Sequence, residues 1–129
     1  MTIHILIIDD DPIFRMITVK MITFLDVTFL KVQDCEDGDI GLDSLERLSG
    51  TKHRVIVFLD INLPVLNGWS FLDNLKKNKY YNIKDISVFI LSSSIDDSDK
   101  TKANSYEIVK RFIQKPLDLL TIRSIVIEN

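Results

Sequence analysis

Val55-Ile56-Val57-Phe58-Leu59-Asp60 is the stretch on which the fold turns: five consecutive apolar residues, three of them β-branched, closed by a carboxylate. A strand that is apolar at every position buries both faces, as strands do in a parallel sheet covered by helices on both sides. Three further apolar-rich runs, each interrupted by one or two polar residues, lie at Ile3–Ile8, Ile86–Leu91 and Val109–Ile113, with an edge strand expected around Thr28–Val32. Helical periodicity fills the gaps. Phe14, Ile17, Met21 and Phe24 lay an apolar stripe along a first helix that Pro12 suits at its first turn. A second helix is expected over Asp39–Leu48 with Leu42, Leu45 and Leu48 inward, stopped by Ser49 and Gly50. A third follows Asn67 and Gly68, carrying Trp69, Leu72 and Leu75, and a last one follows Pro116 with Leu119, Ile122 and Val126 inward. The stretch Asp96–Lys102 is almost wholly polar and predicts the least firmly packed helix. The order is a (βα) unit repeated five times: an α/β doubly wound five-stranded parallel sheet in a three-layer sandwich.

Composition narrows the function. The 129 residues fit one domain, read as spanning 1–129 with no fused output module. A net charge of −3 without a basic stripe disfavours direct binding of nucleic acid. The longest apolar run, Val55–Leu59, is far short of the roughly 20 residues of a membrane helix, and Ile3–Ile8 lacks the basic leader of a signal peptide. One cysteine, Cys35, gives neither an internal disulfide nor a thiolate metal site. The expected location is the cytoplasm, away from the membrane.

Ligands of open α/β sheets sit outside the carboxyl ends of the strands, so the residues closing each run belong together. They are Asp9, Asp10 and Asp11, then Asp60, then Ser92, Ser93 and Ser94, then Lys115 and Pro116. Two unit charges about 4 Å apart repel by about 4 kcal/mol at an effective dielectric of 20, so clustered carboxylates imply a cation. All-oxygen ligation without His or Cys favours a hard ion, and a small site with few carboxylates suits Mg²⁺. The calcium-loop pattern is absent. A carboxylate beside Mg²⁺, faced by a lysine and a hydroxyl, has the parts to attack phosphorus and stabilise an acyl phosphate.

The four segments Ile-Ile-Asp9-Asp10-Asp11-Pro12, Phe-Leu-Asp60-Ile-Asn62-Leu-Pro64-Val-Leu-Asn-Gly68, Ile-Leu-Ser92-Ser93-Ser94 and Phe112-Ile-Gln-Lys115-Pro116-Leu, in this order, resemble the receiver domain of two-component response regulators, a flavodoxin-like fold. The resemblance covers nearly the whole chain. It implies that Asp60 accepts a phosphoryl group from a histidine kinase phosphohistidine or a small phosphodonor. Asp9 and Asp10 would be the acidic pair holding Mg²⁺, Asp10 the direct ligand, joined in the metal site by Asp60 and a backbone carbonyl from Asn62. Ser92 and Lys115 would each meet a phosphoryl oxygen, with a cis Lys115–Pro116 bond aiming the lysine inward. The implied switch moves Ser92 toward the phosphoryl group and swings Phe112 inward behind it, altering the face made by the fourth helix, fifth strand and fifth helix. The implied partners are a histidine kinase or histidine phosphotransfer protein, an unidentified downstream protein, and a phosphorylation-dependent homodimer.

Departures from the family pattern fall on the switch. Ser92 stands where threonine is commoner and Phe112 where tyrosine is frequent, and Asn104–Ile108 lacks the glycine that usually precedes the fifth strand. Plainer readings exist for each motif: Asp9–Asp11 as a turn capping a helix, Ser92–Ser94 as a cap, Lys115 as a surface lysine, Gly68 as a turn residue. His4 and His53 read as structural, Trp69 as helix-packing surface, and Lys76, Lys77 and Lys79 as a solvated helix end. Two rival functions remain open. One is a phosphorylation-independent pseudo-receiver that acts as an interaction module. The other is a haloacid-dehalogenase-like phosphatase with Asp9 as nucleophile and Asp11 as acid/base, a scheme that leaves Asp60 without a task.

Overall fold

The computed structural model, which describes residues 2–50, 52–77, 85–94 and 96–127, turns every apolar run into a strand of one sheet. The order along the chain is β1 (Ile3–Ile8), α1 (Pro12–Phe24), β2 (Leu30–Cys35), α2 (Gly38–Leu48), β3 (Arg54–Asp60), α3 (Gly68–Lys77), β4 (Asp85–Ser92), α4 (Asp97–Asn104), β5 (Val109–Gln114) and α5 (Leu119–Ile127). The strands lie in the order β2-β1-β3-β4-β5, all parallel. The expected doubly wound (βα)₅ architecture is therefore the observed one. Chain order reverses between β1 and β3, which places the carboxyl ends of those two strands at the switch point of the sheet.

The two-residue period of a strand splits each run between two cores. Val55, Val57 and Leu59 join Leu6, Ile8, Leu45, Phe71 and Ile90 in one buried cluster. Ile56 and Phe58 join Ile5, Ile7, Ile22, Leu91 and Ile122 in the other. β3 is central, apolar on both faces and buried throughout Val55–Asp60, so it fixes the height of its terminal carboxylate within the sheet.

Several expectations need correction. The apolar stripe on α1 is split: Phe14 and Met21 pack against the core, Ile17 and Phe24 are exposed, the latter at 81%, and Thr18 and Ile22 are the buried residues. The helix is apolar on more than one side, and its orientation follows the packing of Thr18 and Ile22 against the sheet rather than the longest stripe. Thr18 tolerates burial because its hydroxyl donates to the Phe14 carbonyl at 2.8 Å. The edge strand lies at Leu30–Cys35, displaced toward the C-terminus, because Ile3 pairs with Leu30 and Ile8 with Cys35. On α5, Leu119 is partly exposed, and Ile125 joins Ile122 and Val126 in the core. On α3, Phe71 is buried beside Leu72, a core position the helical reading omitted. His4 and His53, read as structural, lie with ring centroids 5.1 Å apart. Lys79 lies outside the described residues.

α4 buries only Ala103, as its polarity predicts. Its amides are expected to exchange with deuterated solvent earlier than those of α2, which buries Gly38, Gly41, Ser44 and Leu45. Hydrogen exchange resolved by mass or NMR checks this ordering, and equal protection of the two helices would contradict it.

Candidate functional site

β1 delivers Asp9, β3 delivers Asp60, β4 ends on Ser92, and the loop after β5 carries Lys115. Asp9, Asp60 and Ser92 are buried, whereas Asp10, Asp11 and Asn62 are exposed. Asp9, Asp10 and Asp60 each offer a carboxylate oxygen, and these oxygens lie within 4.8 Å of one another. Lys115 Nζ lies 2.6 Å from Asp9 Oδ2 and 3.7 Å from Asp60 Oδ2. The Lys115–Pro116 peptide bond is cis. The Lys115 backbone N–H donates to the Ser92 carbonyl at 2.8 Å, which ties the lysine loop to the end of β4.

Backbone groups hold the carboxylates from below. Asp9 Oδ1 accepts from the Asp11 N–H at 2.9 Å, and Asp60 Oδ1 accepts from the Asn62 N–H at 3.0 Å. Burial pushes the Asp60 carboxyl above its ordinary value. The Asn62 N–H and the Lys115 ammonium oppose that rise, and the negative charges of Asp9 and Asp10 add to it. A buried carboxylate under such strain favours any added cation.

The donor set fits a hard divalent ion: three carboxylates, that of Asp10 exposed, with no His or Cys among the grouped ligands. Asp11 turns outward instead and caps α1, its side chain accepting from the N–H groups of Ile13 and Phe14. Its carboxylate is thus spent on the helix terminus, as the plainest reading of the aspartate run expects for one of the three. Ser92 is buried, its hydroxyl accepting from the Ser94 N–H at 3.3 Å. Phe112 is half-buried and packs against the cluster that contains Ile90 and Ala103.

Two residues around the pocket were not legible as functional. Phe14, counted only in the helix stripe, places its ring 4.4 Å from the Lys115 ammonium. Arg15 donates from Nη1 to the Asp9 carbonyl at 2.6 Å and from Nε to Asp34 at 3.1 Å. The signal available for Arg15 was its place as the lone cation in the first two turns of an otherwise apolar helix. Beyond the pocket, Tyr106 donates to Asp73 at 2.7 Å and stacks on Trp69, over which the Lys102 ammonium sits at 4.7 Å. The region without the usual glycine is therefore tied to α3, and burial beside Asp73 pushes the Tyr106 hydroxyl up to about 12.

Five parallel strands in one doubly wound sheet, with an acidic cluster, a lysine and a buried hydroxyl at its switch point, place the chain among flavodoxin-like α/β proteins. The response regulator receiver domain family matches residues 5–127, and the chain belongs to it. It is 36% identical over 117 residues to a protein-glutamate methylesterase/protein-glutamine glutaminase of Treponema denticola, covering 88% of this chain and 28% of that one. It is 27% identical over 126 residues to a probable methanogenesis regulatory protein of Methanothrix harundinacea, covering 96% of this chain and 79% of that one. A two-component response regulator from Cytophaga hutchinsonii superposes with a TM-score of 0.81 at 28% identity, over 95% of this chain and 92% of that one. The chain thus spans under a third of the first relative, whose name is that of an enzyme. Among the described residues no helix is long and apolar enough to cross a membrane.

Proposed function

We propose that the chain is a phosphoacceptor: Asp60 takes a phosphoryl group from a phosphohistidine of a histidine kinase or phosphotransfer protein, or from a small acyl phosphate. The observation that carries this reading is the convergence of Asp9, Asp10 and Asp60 with Lys115 at the switch point of the sheet. An Asp60 carboxylate oxygen forms the new bond to phosphorus as the bond from phosphorus to the donor nitrogen breaks. With a phosphohistidine the electron pair leaves on an imidazole whose other nitrogen keeps its proton, and with an acyl phosphate the P–O bond breaks and the pair leaves on the released carboxylate, so the pocket neither gains nor loses a proton. Asp9 and Asp10, with the Asn62 carbonyl, would hold Mg²⁺, which when bound neutralises charge on the phosphoryl oxygens.

Lys115 serves two states. Without phosphate its ammonium is engaged by Asp9, and with phosphate it is near enough to Asp60 to meet a phosphoryl oxygen. Ser92 lies at the end of the neighbouring strand, where Asp60 pairs with Leu91, and its hydroxyl is the donor for another oxygen. Its movement and an inward swing of Phe112 form the switch, read out on α4, β5 and α5 by a downstream protein or a second copy. The chain works in this reading as a signalling domain that promotes its own phosphotransfer. Its place of action is the cytoplasm, and residues 1–129 form one receiver unit.

The test is intact mass and site mapping after incubation with acetyl phosphate and Mg²⁺, with and without chelator. A metal-dependent phosphoryl adduct on Asp60 is the expected result. Absence of any adduct in well-folded protein would favour the interaction module, and an adduct on Asp9 would favour the phosphatase scheme.

A further inference from the structure

Asp9 and Asp10 are neighbours in sequence, yet their side chains differ in burial: one is enclosed beside Lys115 and the other is exposed. Both carboxylates offer an oxygen to the same small volume. Their relative placement depends on the peptide plane that joins them, because that plane is rigid and carries the Cα atoms of both residues. The carbonyl of this plane is the Asp9 oxygen that accepts from Arg15 Nη1 at 2.6 Å. The guanidinium is in turn held by Asp34 on β2 through Nε at 3.1 Å. The Asp9 N–H donates to the Cys35 carbonyl at 3.0 Å, so the residue is anchored on both sides to the end of β2.

We propose that Arg15 is a positioning residue: its guanidinium, tethered by Asp34, locks the peptide plane between Asp9 and Asp10 and so sets the separation of the two carboxylates that receive the divalent cation. The inference rests on the phosphoacceptor reading and adds to it a residue outside the pocket lining. A planar fork is suited to the task, since one donor reaches the carbonyl while another is fixed by a carboxylate. The Arg15 side chain is only 13% exposed, which shields its bond to the Asp9 carbonyl, while Asp34 holds it from the surface at 53%.

The sign of the effect separates positioning from simple electrostatics. A cation near the site repels a divalent ion, so removal of the Arg15 charge alone would tighten Mg²⁺ binding. Positioning demands the opposite. In Arg15→Met, which keeps the apolar stem, the dissociation constant for Mg²⁺ measured by calorimetry is expected to rise roughly tenfold, the scale on which supporting shells act on metal sites. The rate of phosphorylation by acetyl phosphate should need correspondingly more Mg²⁺ for half-saturation while its plateau stays within about twofold. Arg15→Lys keeps the charge and loses the fork, and a smaller rise in the same direction is expected.

An unchanged or tighter Mg²⁺ dissociation constant in folded Arg15→Met overturns the inference, even if the melting temperature falls. Should that variant not fold, Arg15→Lys decides alone, and wild-type affinity there overturns it too. Wild-type protein that binds no Mg²⁺ and takes up no phosphoryl group would overturn the phosphoacceptor reading itself. Normal wild-type behaviour with an unaffected Arg15→Met would overturn only the role of Arg15.

Discussion

Asp60→Asn is expected to take up no phosphoryl group and, at neutral pH, to unfold at a higher temperature than the wild-type chain. The first effect follows from chemistry. An amide of the same shape lacks the carboxylate oxygen that attacks phosphorus, so no acyl phosphate forms at this position. The second follows from burial. Burial raises the Asp60 carboxyl above the ordinary value of 3.8, so within the window between that value and the raised one the folded chain binds more protons than the unfolded chain. Stability then falls as pH rises through the window, and the penalty is fully present above it. The neutral amide of the variant carries no such penalty, so the melting temperatures of the two proteins should diverge as pH rises from 3.8. They should converge below it. Mg²⁺ at ten times its dissociation constant should return about 1.4 kcal/mol to the wild type and less to the variant. Thermal melts at several pH values, with and without chelator, check the sign. A variant less stable than wild type at pH 7 would mean that the Asn62 and Lys115 contacts outweigh desolvation.

The sheet was legible because burial on both faces leaves a strong mark: a run such as Val55–Leu59 has few other uses. The site was legible for a related reason, since an α/β sheet gathers strand-end residues without regard to their distance in sequence. Asp9 and Lys115 are 106 positions apart and form a 2.6 Å contact. What failed were readings that depend on how an element rotates or slides. α1 carries apolar residues on several sides, so Ile13, Met16, Ile17 and Phe24 remain exposed while Thr18 and Ile22 go inward. A helix stripe can be read from periodicity, but not which of two stripes the sheet selects. Half the positions of β2 are polar, so its extent carried only a weak signal, and pairing with β1 settled it at Leu30–Cys35. Arg15 and Phe14 were invisible as site residues because the partner of Arg15 is a backbone carbonyl, which carries no sequence signal, and that of Phe14 is an ammonium from a distant segment.

Gly68 is the sharpest case of a residue whose plain reading was too small, and Gly68→Ala is expected to damage both stability and phosphorylation. The residue opens α3 with its N–H donating to the Ile61 carbonyl at 3.1 Å. A methyl group there would stand 2.8 Å from Ile61 Cα and 3.1 Å from the Asp60 carbonyl oxygen. Both of these atoms are backbone, so relief requires the chain at and just beyond Asp60 to move. Overpacking of this kind costs about 1–3 kcal/mol, a fall of roughly 5–10 °C in melting temperature for a chain of this size. A small displacement of the acceptor should also slow phosphorylation by roughly tenfold or more. Gly41→Ala supplies the contrast. Its new methyl would lie 2.5 Å from Ile8 Cδ1, the far end of a flexible side chain, with its other near neighbours also side-chain atoms. Gly41→Ala should therefore lower stability while leaving the rate of adduct formation within about twofold of wild type, because side chains repack and the strand end stays in place. Parallel melts and acetyl phosphate time courses on the two variants separate packing from positioning. Equal slowing in both would mean that loss of stability alone reaches the pocket, and unimpaired phosphorylation in Gly68→Ala would mean that the strand end tolerates the shift.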